Sequence, residues 1–226
     1  MKHKHISKFA LVTAFWLFSC TSVERDNCLD SGGINYMMGC QLSSSSVEPS
    51  SSSSYVIKYG ESVLYKGEIY ETVEIGTQTW MAKNLNYNAP GSKCNNYSDA
   101  NCATYGRLYD WNTAIKVCPS GWHLPSDAEW RTLTNFVGSP EGKYLKATSG
   151  WNSNGNGTDK YGFSALPGGC SGRVFWEVGN YGIWWSATEY SASYASSRYI
   201  YYDSDAVYKG SNEEKDNLYS VRCVQD

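Results

Sequence analysis

The stretch from Cys118 to Trp130, CPSGWHLPSDAEW, constrains this chain more than any other. Ser126 followed by Glu129 fits a capping box: the serine accepts a backbone N–H of the first turn, and the glutamate reaches back to the cap. Pro125 precedes it. Trp130, Leu133, Thr134 and Val137 then recur at helical spacing, so the sequence predicts an amphipathic helix of about three turns ending near Gly138. Gly121 to Leu124 reads as a strand feeding that helix. The simplest role for such a unit is to form core.

From Tyr55 the chain alternates like strands. Ile69, Glu71, Val73 and Ile75 alternate with Tyr70, Thr72 and Glu74, and Gly76-Thr77 predicts a hairpin turn into residues 78–82. Residues 88–102 are turn-rich. A short helix is expected over 105–117, with Leu108, Trp111, Ala114 and Ile115 on one face. Residues 139–183 are glycine-rich with few apolar runs, which reads as a long irregular excursion of the kind that often carries function. Strand formers return in 184–187, 197–203, 206–209 and 218–224. The expected fold class is therefore α+β: short antiparallel strands, two helices and one long glycine-rich irregular region.

The N-terminus reads as a targeting segment. Lys2, His3, Lys4, His5 and Lys8 precede an apolar run of ten residues, Phe9 to Phe18. That run is short of the ~20 residues a bilayer span needs. Leu17-Phe18-Ser19-Cys20 is close to a bacterial lipobox, so residues 1–19 are expected to be a lipoprotein signal peptide and Cys20 the lipidated first mature residue. Residues 20–42 read as a small N-terminal segment closed by one disulfide between its two cysteines beyond Cys20. Residues 43–54, SSSSVEPSSSSS, hold nothing that packs and read as a flexible tether to a domain over 55–226. The expected setting is the cell envelope, as an outer-membrane lipoprotein held by its N-terminal lipid.

In an exported chain the eight cysteines read as a disulfide framework, with no metal-ligand spacing. Spacing suggests Cys28–Cys40 and Cys94–Cys102. Cys118, Cys170 and Cys223 remain. Beyond Cys20 there are 16 Lys plus Arg against 22 Asp plus Glu, a net charge of −6 with no basic stripe, which disfavours nucleic acid.

Six stretches in order carry a family resemblance: IGTQTWMAKNLNY (75–87), GRLYDWNTA (106–114), GWHLPSDAEW (121–130), GWNSNGNGTDKYGFSALPGG (150–169), WWSATEY (184–190) and SVRCV (220–224). Together they resemble the Fibrobacter succinogenes major paralogous domain. LPSDAEW and SVRCV are more distantly similar to signatures of formylglycine-generating-enzyme and C-type-lectin-like folds. The resemblance implies a surface-associated domain of lectin-like architecture, with N- and C-terminal strands paired and a Cys118–Cys223 bridge. Cys170 is then left over, as a free or intermolecular thiol.

Three chemistries are open to these residues. Nine Trp and nineteen Tyr are a large aromatic complement, dense over 161–208. Flat aromatic faces stack on sugar rings, and tyrosine suits exposed recognition surfaces. In 198–203, alternation sets Tyr199 and Tyr201 on one face and Ile200 and Tyr202 on the other, so one row is expected to face solvent. Trp176, Tyr181 and Tyr190 join Tyr199 and Tyr201 as candidate ligand contacts. Asn152, Asn154, Asn156 and Gly157 mimic the start of a calcium loop but lack its carboxylates and closing glutamate, so they read as an Asn/Gly turn. The only histidine beyond the N-terminal segment, His123, reads as buried in a strand. No nucleophile–base device is evident, and neither catalysis nor a cofactor is expected. The reading is non-catalytic recognition, of carbohydrate or a cell-surface component. Its rivals are a purely structural envelope role and, behind that, a diverged modifying enzyme.

Overall fold

The computed structural model describes residues 56–176 and 178–226. The signal segment, Cys20, the expected Cys28–Cys40 bridge and the serine tether lie outside the described residues. Five short strands come first: β1 (Lys58–Tyr59), β2 (Val63–Tyr65), β3 (Glu68–Tyr70), β4 (Thr72–Ile75) and β5 (Gln78–Met81). A 3-10 turn (Asn95–Tyr97), α1 (Asp99–Tyr105), β6 (Leu108–Tyr109) and α2 (Trp111–Ala114) follow. Next are β7 (Trp122–His123), α3 (Asp127–Val137), α4 (Glu141–Leu145), β8 (Cys170–Ser171) and β9 (Phe175–Trp176). The longest strands close the chain: β10 (Tyr181–Glu189), β11 (Tyr194–Tyr201) and β12 (Tyr208–Glu214), then β13 (Tyr219–Ser220) and β14 (Val224–Gln225).

Two five-stranded sheets result, ordered β1-β4-β5-β14-β7 and β12-β11-β10-β13-β6, with β2-β3 and β8-β9 as separate hairpins. Most pairings are antiparallel; β10 and β13 run parallel. The architecture is α+β. The first sheet joins both ends of the domain, because Val224 sits between Trp80 and His123. The Gly76-Thr77 hairpin forms as expected, joining Ile75 to Gln78.

Helix α3 forms where the capping box places it. The Ser126 hydroxyl accepts from the Glu129 N–H, while Glu129 Oε2 accepts from the Ser126 N–H at 2.7 Å. Its buried face, Trp130, Leu133 and Val137, lies between the sheets. Trp130 approaches Trp80 of the first sheet at 5.0 Å between ring centroids and Trp184 of the second at 6.3 Å; Phe163 closes the cluster at 5.7 Å from Trp80. A buried aromatic side chain removes about 150–250 Å² from water, roughly 4–6 kcal/mol each before the entropy of ordering. A second cluster includes Met81, Leu85, Tyr109, Trp111, Trp185, Tyr219 and Val221.

Most polar groups inside this core find partners, although Trp130 Nε1 and Asn86 Oδ1 are buried without one among the described residues. Arg222 is fully buried, and its guanidinium donates to Asn84 Oδ1 through Nε (3.0 Å) and Nη2 (2.7 Å), and to the Met81 carbonyl (3.1 Å). It also donates to the Phe163 carbonyl. Asn84 Oδ1 takes a further bond from Trp184 Nε1 at 2.8 Å, and its Nδ2 donates to the Tyr105 carbonyl. Burial pulls the Arg222 pKa down to about 9, so the side chain stays charged at neutral pH. The hub joins sequence positions 138 residues apart.

Several elements differ from expectation. The helix over 105–117 is only α2, Trp111–Ala114, with Leu108 on β6 and Ile115 partly exposed. Gly106 has φ 79° and passes so close to the 84–85 backbone that a Cβ there would lie 2.8 Å from the Leu85 carbonyl oxygen. A helix cannot run through that point. Asp110 restarts it by accepting from the Thr113 N–H. The turn-rich segment contains α1, and the glycine-rich excursion contains α4, β8 and β9, so the described residues hold four helices instead of two. The alternation through 69–75 also breaks: Ile69 is exposed and Tyr70 buried, because β3 pairs with β2 while β4 belongs to the first sheet.

Candidate binding surface

Strands β10, β11 and β12 build one face that packs inward and one that is open at its end. Ile200 and Trp184 point into the core. Arg198 is also buried, donating to Asp127 Oδ1 at 2.9 Å at the start of α3. By the two-residue period of a strand, Tyr199 and Tyr201 take the other face and remain half-exposed. Register then recruits neighbours: Tyr201 lies opposite Tyr181, and Tyr199 opposite Tyr208.

The rings meet in an unbroken series. Trp176 contacts Tyr181 edge-on at 6.4 Å, Tyr181 contacts Tyr201 at 5.1 Å, and Tyr201 contacts Tyr199 at 5.3 Å. Tyr199 and Tyr208 are stacked at 5.3 Å and 15°. Trp176 is 54% exposed and Tyr208 39%. The Tyr201 pKa is raised, by partial burial first and by the neighbouring Tyr199, Tyr181 and Tyr208 hydroxyls next, so its hydroxyl remains a neutral donor. The arrangement offers a strip of apolar ring faces and edges with hydroxyls along it.

Four of the five candidate residues therefore come together: Trp176, Tyr181, Tyr199 and Tyr201. Tyr190 does not. It lies past the opposite end of β10, nine residues from Tyr181 or roughly 30 Å along an extended strand, and no ring contact joins it to the strip among the described residues. Tyr208 was not singled out from sequence, since only the β11–β12 register sets it against Tyr199.

Trp176 sits on the β8–β9 hairpin, with a cleft on each flank. One, of about 410 Å³, is lined by Val174, Phe175, Trp176, Asn180 and Tyr181 and opens toward the strip. The other, of about 380 Å³, is lined by Phe175, Trp176, Val178 and three amides, Asn95, Asn96 and Asn101. Asn95 Nδ2 donates to the Trp176 carbonyl (2.9 Å) and the Gly168 carbonyl (3.0 Å), which docks the 94–102 loop against the hairpin. Tyr97 packs edge-on against Phe175 at 4.9 Å.

The cysteines clarify the framework. Cys94–Cys102 and Cys118–Cys223 are both bonded, at S–S distances of 2.08 and 2.06 Å. Cys170 is free and buried, its thiol pKa pushed up to about 12 by burial and, secondarily, by Glu213. A buried thiol of this kind is poorly reactive.

His123 departs from its expected burial. Its side chain is 40% exposed, and both ring nitrogens meet carboxylates: Nδ1 at 2.7 Å from Asp226 Oδ1, Nε2 at 2.6 Å from Glu129 Oε1. Burial alone would lower its pKa, but the hydrogen bonds to Asp226 and Glu129 outweigh that and raise it. Ser126 Oγ bonds to Glu129 and not to the imidazole. Sequence could not show the pairing, because Asp226 arrives 103 residues later through the β14–β7 ladder. The Asn152–Asn156 amides bond to other protein groups: Asn156 Oδ1 accepts from the Trp151 N–H, and Asn152 Nδ2 donates to Asn180 Oδ1, 28 residues on.

Fold and surface together define an α+β domain that exposes a chain of aromatic rings at one end of its second sheet. Residues 73–225 match the Fibrobacter succinogenes major domain, and the chain belongs to that family. No curated protein and no solved structure matches the chain.

Proposed function

We propose that this chain is an exported, lipid-anchored envelope protein whose lectin-like domain binds a carbohydrate polymer without catalysis. One observation carries the reading: five rings, Trp176, Tyr181, Tyr201, Tyr199 and Tyr208, follow one another at 5.1–6.4 Å on a partly exposed face. Aromatic faces satisfy the C–H surfaces of sugars, and tyrosine hydroxyls satisfy their oxygens at small entropic cost. The C-terminal strand β14, held between β5 and β7 in the first sheet, and the Cys118–Cys223 bridge support the lectin-like assignment, although the first strand, β1, pairs with β4 instead of β14. The lipobox-like Cys20 and the serine tether support presentation of the domain away from a membrane.

The residues that carry the family motifs do not supply this surface. Trp80, Asn84, Tyr109, Trp130, Trp184 and Arg222 are all buried. That favours a second reading, in which the fold serves envelope structure alone. A pull-down on insoluble cellulose, xylan and peptidoglycan, run with and without chelator, separates the two. Retention that survives chelator and is lost in Trp176→Ala or Tyr201→Ala supports recognition through the strip. Failure to bind all three polymers would return the weight to the structural role. Labelling with radioactive palmitate, compared between the native chain and Cys20→Ala, tests the anchor.

A further inference from the structure

We infer, resting on the carbohydrate reading above, that the strip takes single glycan chains, soluble or amorphous, and not the flat face of a crystalline polysaccharide. A flat face presents its sugars in one plane, so only rings lying side by side in one plane can all stack on it. No two neighbouring rings of the strip are arranged that way. Trp176 and Tyr181 meet at 78°, Tyr181 and Tyr201 at 76°, and Tyr201 and Tyr199 at 63°. Tyr199 and Tyr208 are near parallel, at 15°, but stacked on each other instead of spread in a plane. Tyr201 and Tyr208 are tilted by 55°.

Strand register imposes these angles. Tyr181 sits directly opposite Tyr201, and Tyr199 directly opposite Tyr208. Cross-strand partners hold their Cβ atoms only about 4.5–5.5 Å apart, too close for two phenol rings to lie flat beside one another. Rings so crowded turn edge to face, as their quadrupoles favour, or stack. The Tyr208 hydroxyl also shares a hydrogen bond with Ser204 Oγ at 2.9 Å, which fixes the last ring of the series. The strip crosses three strands, β10 to β12, and neighbouring strands of a sheet are turned against one another by roughly 20–25°. That twist carries through to the row of side chains standing on the sheet.

The ligand has to match a row of turned contacts. A free chain does so by rotating about its glycosidic bonds, so that each successive sugar meets the next ring at a new angle. A chain locked in a crystal cannot turn. Its flat surface stacks on Trp176, the most exposed ring of the strip, at the expense of the half-exposed Tyr181, Tyr201 and Tyr199, which are turned away from that plane.

The test is a set of depletion isotherms of the full-length protein in mild detergent, on acid-swollen and microcrystalline cellulose and on amorphous and crystalline chitin. Dissociation constants are compared instead of capacities, so that accessible area does not enter. For at least one polymer the amorphous form is expected to bind about tenfold or more tighter, the order that two lost ring contacts make. The matching soluble hexamer, cellohexaose or chitohexaose, should displace the protein. Tyr181→Ala and Tyr201→Ala should weaken binding to the amorphous form and leave residual crystalline binding unchanged. Binding confined to non-crystalline glycans, soluble xylan in an affinity gel or peptidoglycan in a pull-down, supports the inference as well. Crystalline binding as tight as amorphous binding in the native protein overturns it, leaves the carbohydrate reading standing, and requires no variant to fold. No binding of any of these glycans overturns both.

Discussion

Removing the two disulfides separately tests whether chain topology governs the stability of this domain. Cys118–Cys223 closes a sequence separation of 105 residues and Cys94–Cys102 one of 8. If cross-links act by restricting the unfolded chain, the long loop contributes about 4.7 kcal/mol and the short one roughly 2.6. For a domain of this size each kcal/mol moves the melting temperature by about 2–4 °C. The pair Cys118→Ala/Cys223→Ala should therefore lower Tm by roughly 10–20 °C, and Cys94→Ala/Cys102→Ala by roughly 5–10 °C. Alanine keeps the comparison fair, because Cys94, Cys102 and Cys223 are all buried and lose similar packing. Calorimetric Tm and urea unfolding free energies supply the readouts, and the urea m-value should rise more in the long-loop variant as its unfolded chain expands. An equal or larger loss from the short loop would refute the reasoning. It would mean that release of the left-handed Asn96–Tyr97 turn, a native-state effect, outweighs loop closure.

Arg222→Met keeps the volume roughly constant but strips donors from Asn84, Met81 and Phe163, and each buried acceptor left bare costs about 1–3 kcal/mol; a loss of at least about 3 kcal/mol in urea unfolding is expected. Gly106→Ala forces a Cβ to within 2.8 Å of the Leu85 carbonyl oxygen at φ 79°, and should lower stability by about 2 kcal/mol or more, read as a fall in the urea midpoint. His123 has a folded pKa raised above its ordinary 6.5, so its contribution is fully present below that value and is lost as pH rises through the folded pKa. Glu129 has its pKa lowered from 4.5: burial opposes the shift, but hydrogen bonds from Ser126 and His123 outweigh it, so its contribution is lost as pH falls through the folded value. The Tm advantage of the native chain over His123→Gln should accordingly be largest near about pH 5–6 and shrink by about pH 9; a pH-independent difference would contradict the carboxylate clip.

Local signals fixed the parts of this protein that depend on neighbours in sequence. The Ser126–Glu129 capping box, the Trp130–Leu133–Val137 face and the Gly76 hairpin all formed where the chain indicated, because each rests on contacts within a few residues. The Tyr199/Tyr201 row was legible for the same reason: the period of a strand is a local property. The short disulfide followed from spacing, and the long one from a family resemblance. Tertiary structure alone decided the rest. Gly106 interrupts a helical pattern because the 84–85 backbone crosses it, and that segment, past the end of β5, lies some 20 residues earlier. Tyr208 joins the strip, and Tyr190 leaves it, through a register that one strand cannot encode without its partner. Asp226 and Glu129 meet on His123, and Asn95 on Trp176, only after sheet and loop have closed. Short-range propensity is written in the order of residues, but a site made by long-range closure exists only once the chain has paid the entropy of bringing those residues together.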